Sequence, residues 1–153
     1  MLEGSDSMSA AGTPIVFIHG LWLHADSWAP WTERFRAAGY VPAAPGWPGD
    51  MTTVEETRKQ PQLVAGYGIG DVVDHYAKVI GALAAKPIVI GHSFGGVIAQ
   101  RLLGDGNAAA AVAIDPAPIK GVLFLPPSAL RVASVALRNP LNRKRAVSLD
   151  RGQ

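Results

Sequence analysis

No cysteine occurs among the 153 residues, so disulfides, thiolate metal sites and a cysteine nucleophile are excluded, and the composition fits a cytoplasmic chain. Long apolar runs are missing as well. The first, Pro14 to Ile18, is far too short for a signal segment or a membrane span, and the leader before it has no basic residue. Charge is sparse at 17%, against 48% hydrophobic residues, which describes a globular domain with a real core rather than a disordered chain. Histidine is scarce too, with four residues, the last of them His92. That shortage bears on any chemistry that needs a late general base.

The charges that are present divide unevenly. Residues 1 to 118 hold seven Lys/Arg against eleven Asp/Glu, and residues 119 to 153 hold seven against one. A basic end of this kind can contact nucleic acid or an anionic surface, but no aromatic residue interleaves with Arg138, Arg143, Lys144, Arg145 and Arg151. A solvated tail is the expectation, with no nucleic-acid partner and no membrane span.

Apolar patterning divides the chain into a leader (1–13), a core region (14–118) and a basic tail or the start of a further region (119–153). Ile15 to Ile18 is continuously apolar and β-branched, as for a central parallel strand buried on both faces. A helix capped by Asp26 or Ser27 is expected to run to Ala38 and stop at Gly39. A strand over 40–44 then ends in the Pro45 to Gly49 loop. Residues 50 to 66 read as a surface excursion with one helical turn at 54–59 and little visible chemistry. Val72, Val73, Tyr76, Val79, Ile80 and Leu83 recur at helical spacing over 69–84. A strand at 88–91, a helix at 94–103 and a strand at 108–114 complete an alternating order. The spacing of Leu130, Ala133, Ser134, Leu137 and Leu141 suggests one more amphipathic helix. Alternation of this kind predicts an α/β fold with a mainly parallel sheet of about four strands flanked by helices.

Gly91-His92-Ser93-Phe94-Gly95 follows the strand at 88–91 directly. A GxSxG pentapeptide in that position is a candidate nucleophile elbow, in which a strand turns at once into a helix and small residues flank the serine. At the end of the first strand, His19-Gly20-Leu21-Trp22 forms a second turn. Both turns fall at carboxyl ends of strands expected to be neighbours, where ligands of open α/β sheets bind.

These residues resemble the α/β-hydrolase superfamily over about 100 residues: an apolar strand ending in HGLW, a Pro/Gly-rich second strand end, then GHSFGG. The resemblance is strongest to its serine esterase, lysophospholipase and cofactor-free haloperoxidase-like group. It implies Ser93 as nucleophile, the Leu21 and Phe94 N–H groups as oxyanion hole, Trp22 at the acyl pocket, and Gly20, Gly91 and Gly95 as supports of the turns. Haloalkane dehalogenases look similar at the HG turn but carry an aspartate at the elbow. The implied substrate is a small ester or other apolar acyl compound, cleaved without a cofactor.

The resemblance covers only the N-terminal portion of such a fold, since family members usually continue with a cap, further strands, an acid and a histidine. Loss of the triad histidine costs about 10⁶-fold in kcat, so a truncated, nearly inactive chain with C-terminal strands missing is expected. The closing residues 148–153 lack apolar periodicity, as a premature stop, a frameshift or a cut boundary would leave them. Asp115 is a possible acid, or else it caps the turn at Pro116. His92 is expected beside the elbow, His19 as part of the HG turn, His24 at a pocket edge and His75 on a solvated helix face. His19 and His24 are separated by a glycine turn and joined by no carboxylate cluster, so no metal site is expected. An edge left open after the last strand predicts self-association. Two rival readings stand beside the hydrolase: a noncatalytic α/β module binding a ligand or partner, and a nonfunctional gene fragment.

Overall fold

The computed structural model describes residues 12–119, 121 and 122, and the single positions 127, 130, 131 and 134. The helix expected over 130–141 and most of the basic tail therefore lie outside the described residues. Four parallel strands form one sheet in the order β2-β1-β3-β4, with β1 at Pro14–Ile18, β2 at Val41–Ala43, β3 at Ile88–His92 and β4 at Ala110–Ile114. The helices are α1 (Ala29–Ala37), α2 (Val54–Lys59), α3 (Ile69–Gly81) and α4 (Phe94–Gly104).

Side chains alternate across a strand, so a strand that is apolar throughout feeds two cores. Val16, Ile18 and Val89 pack with Val72, Val73, Tyr76 and Ile80 of α3 and with Ile98, Ala99 and Leu102 of α4. Ile15, Phe17 and Ile90 pack on the opposite face with Trp28, and Phe35 of α1 joins them. There Phe17 lies 4.9 Å from Trp28 and 5.6 Å from Phe35, ring to ring. Helices on both faces make this the doubly wound arrangement expected of alternating strand and helix.

Several elements differ in detail from expectation, β4 for example beginning at Ala110 rather than Ala108. The first helix is preceded by a 3-10 turn over Ala25–Trp28, and its cap is His24, whose ring nitrogen accepts from the Asp26 N–H at 3.3 Å, in place of Asp26 or Ser27. α3 stops at Gly81 rather than Ala84. The excursion forms a true helix, α2, because Thr53 and Glu56 close a reciprocal capping box.

Candidate active site

Ser93 stands between the last residue of β3 and the first of α4, with φ 55° and ψ −120°. Left-handed φ is costly for a side chain with a Cβ, and the surroundings over-determine it. The Ser93 N–H donates to Ile114 O at 3.0 Å, while its carbonyl accepts from Gly96 N at 3.0 Å and Ala117 N at 3.1 Å. Strand and helix can meet this tightly only without side chains in the angle. A Cβ on Gly91 would fall 2.0 Å from Gly95 O, and one on Gly95 would fall 2.2 Å from Ile18 O. Phe94 is half-buried at the start of α4, where the helix dipole favours negative charge.

The HG turn abuts this elbow. Gly20 lies so close that a Cβ there would be 2.9 Å from Ser93 Cβ. Beyond it, Leu21 is 39% exposed and Trp22 takes φ 60°. The buried His19 ring holds the turn from behind: Nδ1 is 2.9 Å from Gly20 O and Nε2 is 3.0 Å from Asp50 Oδ2. Asp50 also accepts the Trp47 backbone N–H at 2.8 Å, and the Trp47 indole donates to His19 O at 3.1 Å while its ring stacks on His19.

A cleft of about 910 Å³ opens between the HG turn and the 47–67 excursion, lined among others by Gly20, Leu21, Trp22, Trp47, Arg58 and Tyr67. A second cavity of about 220 Å³ lies on the α1 side, walled by Leu23, Ser27, Trp28, Trp31, His92 and Ile114. His92, half-buried, thus faces that cavity beside the elbow. His24 lines the cleft and bonds Met51 O at 3.1 Å. His75 was expected on a solvated face, but it is half-buried and bonds Gly46 O at 3.1 Å, because the 45–51 loop folds over that side of α3.

Asp115 follows β4 with φ 41° and an exposed side chain that forms no hydrogen bond or ion pair with a described residue, so the cap expected at Pro116 is not made. Among the described residues no three His, Asp or Glu side chains gather as a metal site requires. No helix among them is long and apolar enough to cross a membrane. Sequence reasoning missed Asp50, in a stretch read as chemically quiet. Its 31-residue separation from His19 gave no local signal.

With this geometry in view, the sequence pattern of the Alpha/beta hydrolase family matches residues 15–152. The chain belongs to the alpha/beta hydrolase family. Solved structures with this hydrolase fold include an extracellular alpha/beta-hydrolase from a Paenibacillus species, at 22% identity and TM-score 0.62, covering 81% of this chain and 51% of that one. A monoacylglycerol lipase from Paleococcus ferrophilus matches at 23% identity and TM-score 0.57, covering 86% and 50%. A methylesterase from Arabidopsis matches at 20% identity and TM-score 0.57, covering 70% and 44%. The chain thus spans about half the length of these structures. No curated protein matches it.

Proposed function

We propose that this chain carries the nucleophile half of a serine hydrolase that cleaves a small-molecule ester through an acyl-Ser93 intermediate. The strained backbone of Ser93, at φ 55° and ψ −120° between β3 and α4, is the observation that carries this reading. In the proposed step Ser93 Oγ attacks the carbonyl carbon and the alcohol leaves with a proton, after which water releases the acid. The Phe94 and Leu21 N–H groups receive the developing oxyanion. Trp22, on the wall of the 910 Å³ cleft, borders the acyl group.

The reading places none of the four histidines as general base, since His19, His24 and His75 are held by Asp50, Met51 and Gly46 and His92 faces the cavity on the α1 side. Turnover by this chain alone is accordingly expected to be very low, about 10⁶-fold below a complete triad. An esterase-like activity agrees with the methylesterase and lipase among the similar structures, whose substrates are their own.

The test is covalent. Fluorophosphonate labelling of the wild-type chain is expected to be slow, because no histidine activates Ser93, and to be lost in Ser93→Ala; equal labelling of both removes Ser93 from this role. The size of the cleft also supports a noncatalytic ligand-binding module. Ligand-dependent melting together with equal labelling of the wild type and Ser93→Ala would favour that second reading.

A further inference from the structure

The 45–51 loop is tied to the HG turn by a closed ring of hydrogen bonds. Asp50 Oδ2 faces the His19 ring at 3.0 Å and accepts from Trp47 N at 2.8 Å; Trp47 Nε1 returns to His19 O at 3.1 Å. Both ends of His19 are thereby held, its side chain by a carboxylate and its carbonyl by an indole. The two side chains of the pair are 3% and 8% exposed, so water competes little for either.

What this ring controls follows from the remaining His19 nitrogen. Nδ1 lies 2.9 Å from Gly20 O, and Gly20 C=O shares one peptide plane with Leu21 N–H. In a trans peptide the two point in opposite directions, so a hydrogen bond that fixes the carbonyl fixes the direction of the N–H. Gly20 O and Asp50 Oδ2 lie against opposite nitrogens of one ring, so the orientation of that ring is tied to both. Gly20 itself packs against Ser93, so a rotation of this peptide would be felt at the elbow.

We infer that Asp50 is a positioning residue: through His19 it orients the Gly20–Leu21 peptide and thereby aims the Leu21 N–H. The inference rests on the reading of Leu21 as an oxyanion donor for its catalytic meaning, but not for its geometry. Asp50 touches no substrate in this account.

Two measurements separate the inference from the reading beneath it. The first is the direction of the Leu21 N–H bond, from residual dipolar couplings. Asp50→Asn is expected to change the Leu21 coupling while those of Val89 and Ile98 in the core persist; an unchanged Leu21 coupling overturns the inference. The second is the kinetics of fluorophosphonate labelling of Ser93. Misaiming one donor is expected to lower the maximal inactivation rate about tenfold or more, with the concentration for half-maximal rate held within about twofold. Equal rates for wild type and Asp50→Asn, or a fall in both parameters together, count against Asp50. Should Asp50→Asn fail to fold, Trp47→Phe keeps the stacked ring and removes the indole N–H. It is expected to move the Leu21 coupling in the same sense, and no movement there overturns the inference. Labelling that is equal in the wild type and Ser93→Ala, with the Leu21 coupling still responding to Asp50→Asn, overturns the hydrolase reading and leaves the positioning role standing.

Discussion

At the scale of single residues, the elbow depends on atoms that are not there. Gly95 sits with its Cα against the Ile18 carbonyl, and the built Cβ distance of 2.2 Å is to backbone, which has no rotamer by which to move away. Gly95→Ala is therefore expected to destabilise the fold by about 3 kcal/mol or more, at the upper end of overpacking effects. Urea denaturation checks it, with Gly104→Ala as reference, since a Cβ at Gly104 would meet nothing within 4 Å. A Gly95→Ala midpoint equal to the wild type would mean that the strand–helix angle is not held as described. The strain at Ser93 belongs to the same argument: its left-handed φ persists because the end of β4, α4 and the chain after β4 all bond its backbone.

At the scale of elements, the loop of residues 45–51 is held from three directions. The HG turn after β1 supplies His19, the 3-10 turn region supplies His24, and α3 supplies His75 and Tyr76. Tyr76 is fully buried and donates its hydroxyl to Pro45 O at 2.8 Å, so Tyr76→Phe is expected to cost about 1 kcal/mol. Burial, and then the negative charge of Asp50, push the Tyr76 phenol far above its ordinary value. The native state thus binds this proton more tightly than the unfolded chain does. The stability it contributes is complete below the unfolded pKa of about 10 and is lost as pH rises beyond it. Melting temperatures between pH 8 and 11 should fall more steeply for the wild type than for Tyr76→Phe. Parallel curves would show that this phenol is not protected from ionisation.

At the scale of the whole molecule, the two faces of the sheet are unequally covered. Phe17, Ile90 and Val112 lie side by side in register on the α1 face, and their exposure rises from 0% to 4% to 46% along the row. α1 shields β1 and leaves Val112 of β4 bare, next to an edge that pairs with no described strand. Open parallel edges with apolar faces favour pairing between chains. Concentration-dependent association is expected in sedimentation velocity, reduced by Val112→Lys, which places a charge on that face. A wild type that stays monomeric at high concentration would show that the face and edge are protected in solution.

The order of strands and helices, the parallel sheet, the elbow and the HG turn were determined by the sequence itself, because each is a local matter of periodicity, turn residues and backbone freedom. Ile15 to Ile18 needed no neighbour to read as a strand buried on both sides, and Gly91 to Gly95 needed none to read as a strand-to-helix turn. Only the tertiary structure decided that His19 meets Asp50, that His75 is covered rather than solvated, and that the 47–67 excursion walls a cleft. These pairings join residues about thirty positions apart, and their geometry comes from the crossover of β2 beside β1, not from any local preference. A serine's backbone strain is written in its neighbours; the partner of a histidine is decided by where the sheet brings a distant loop.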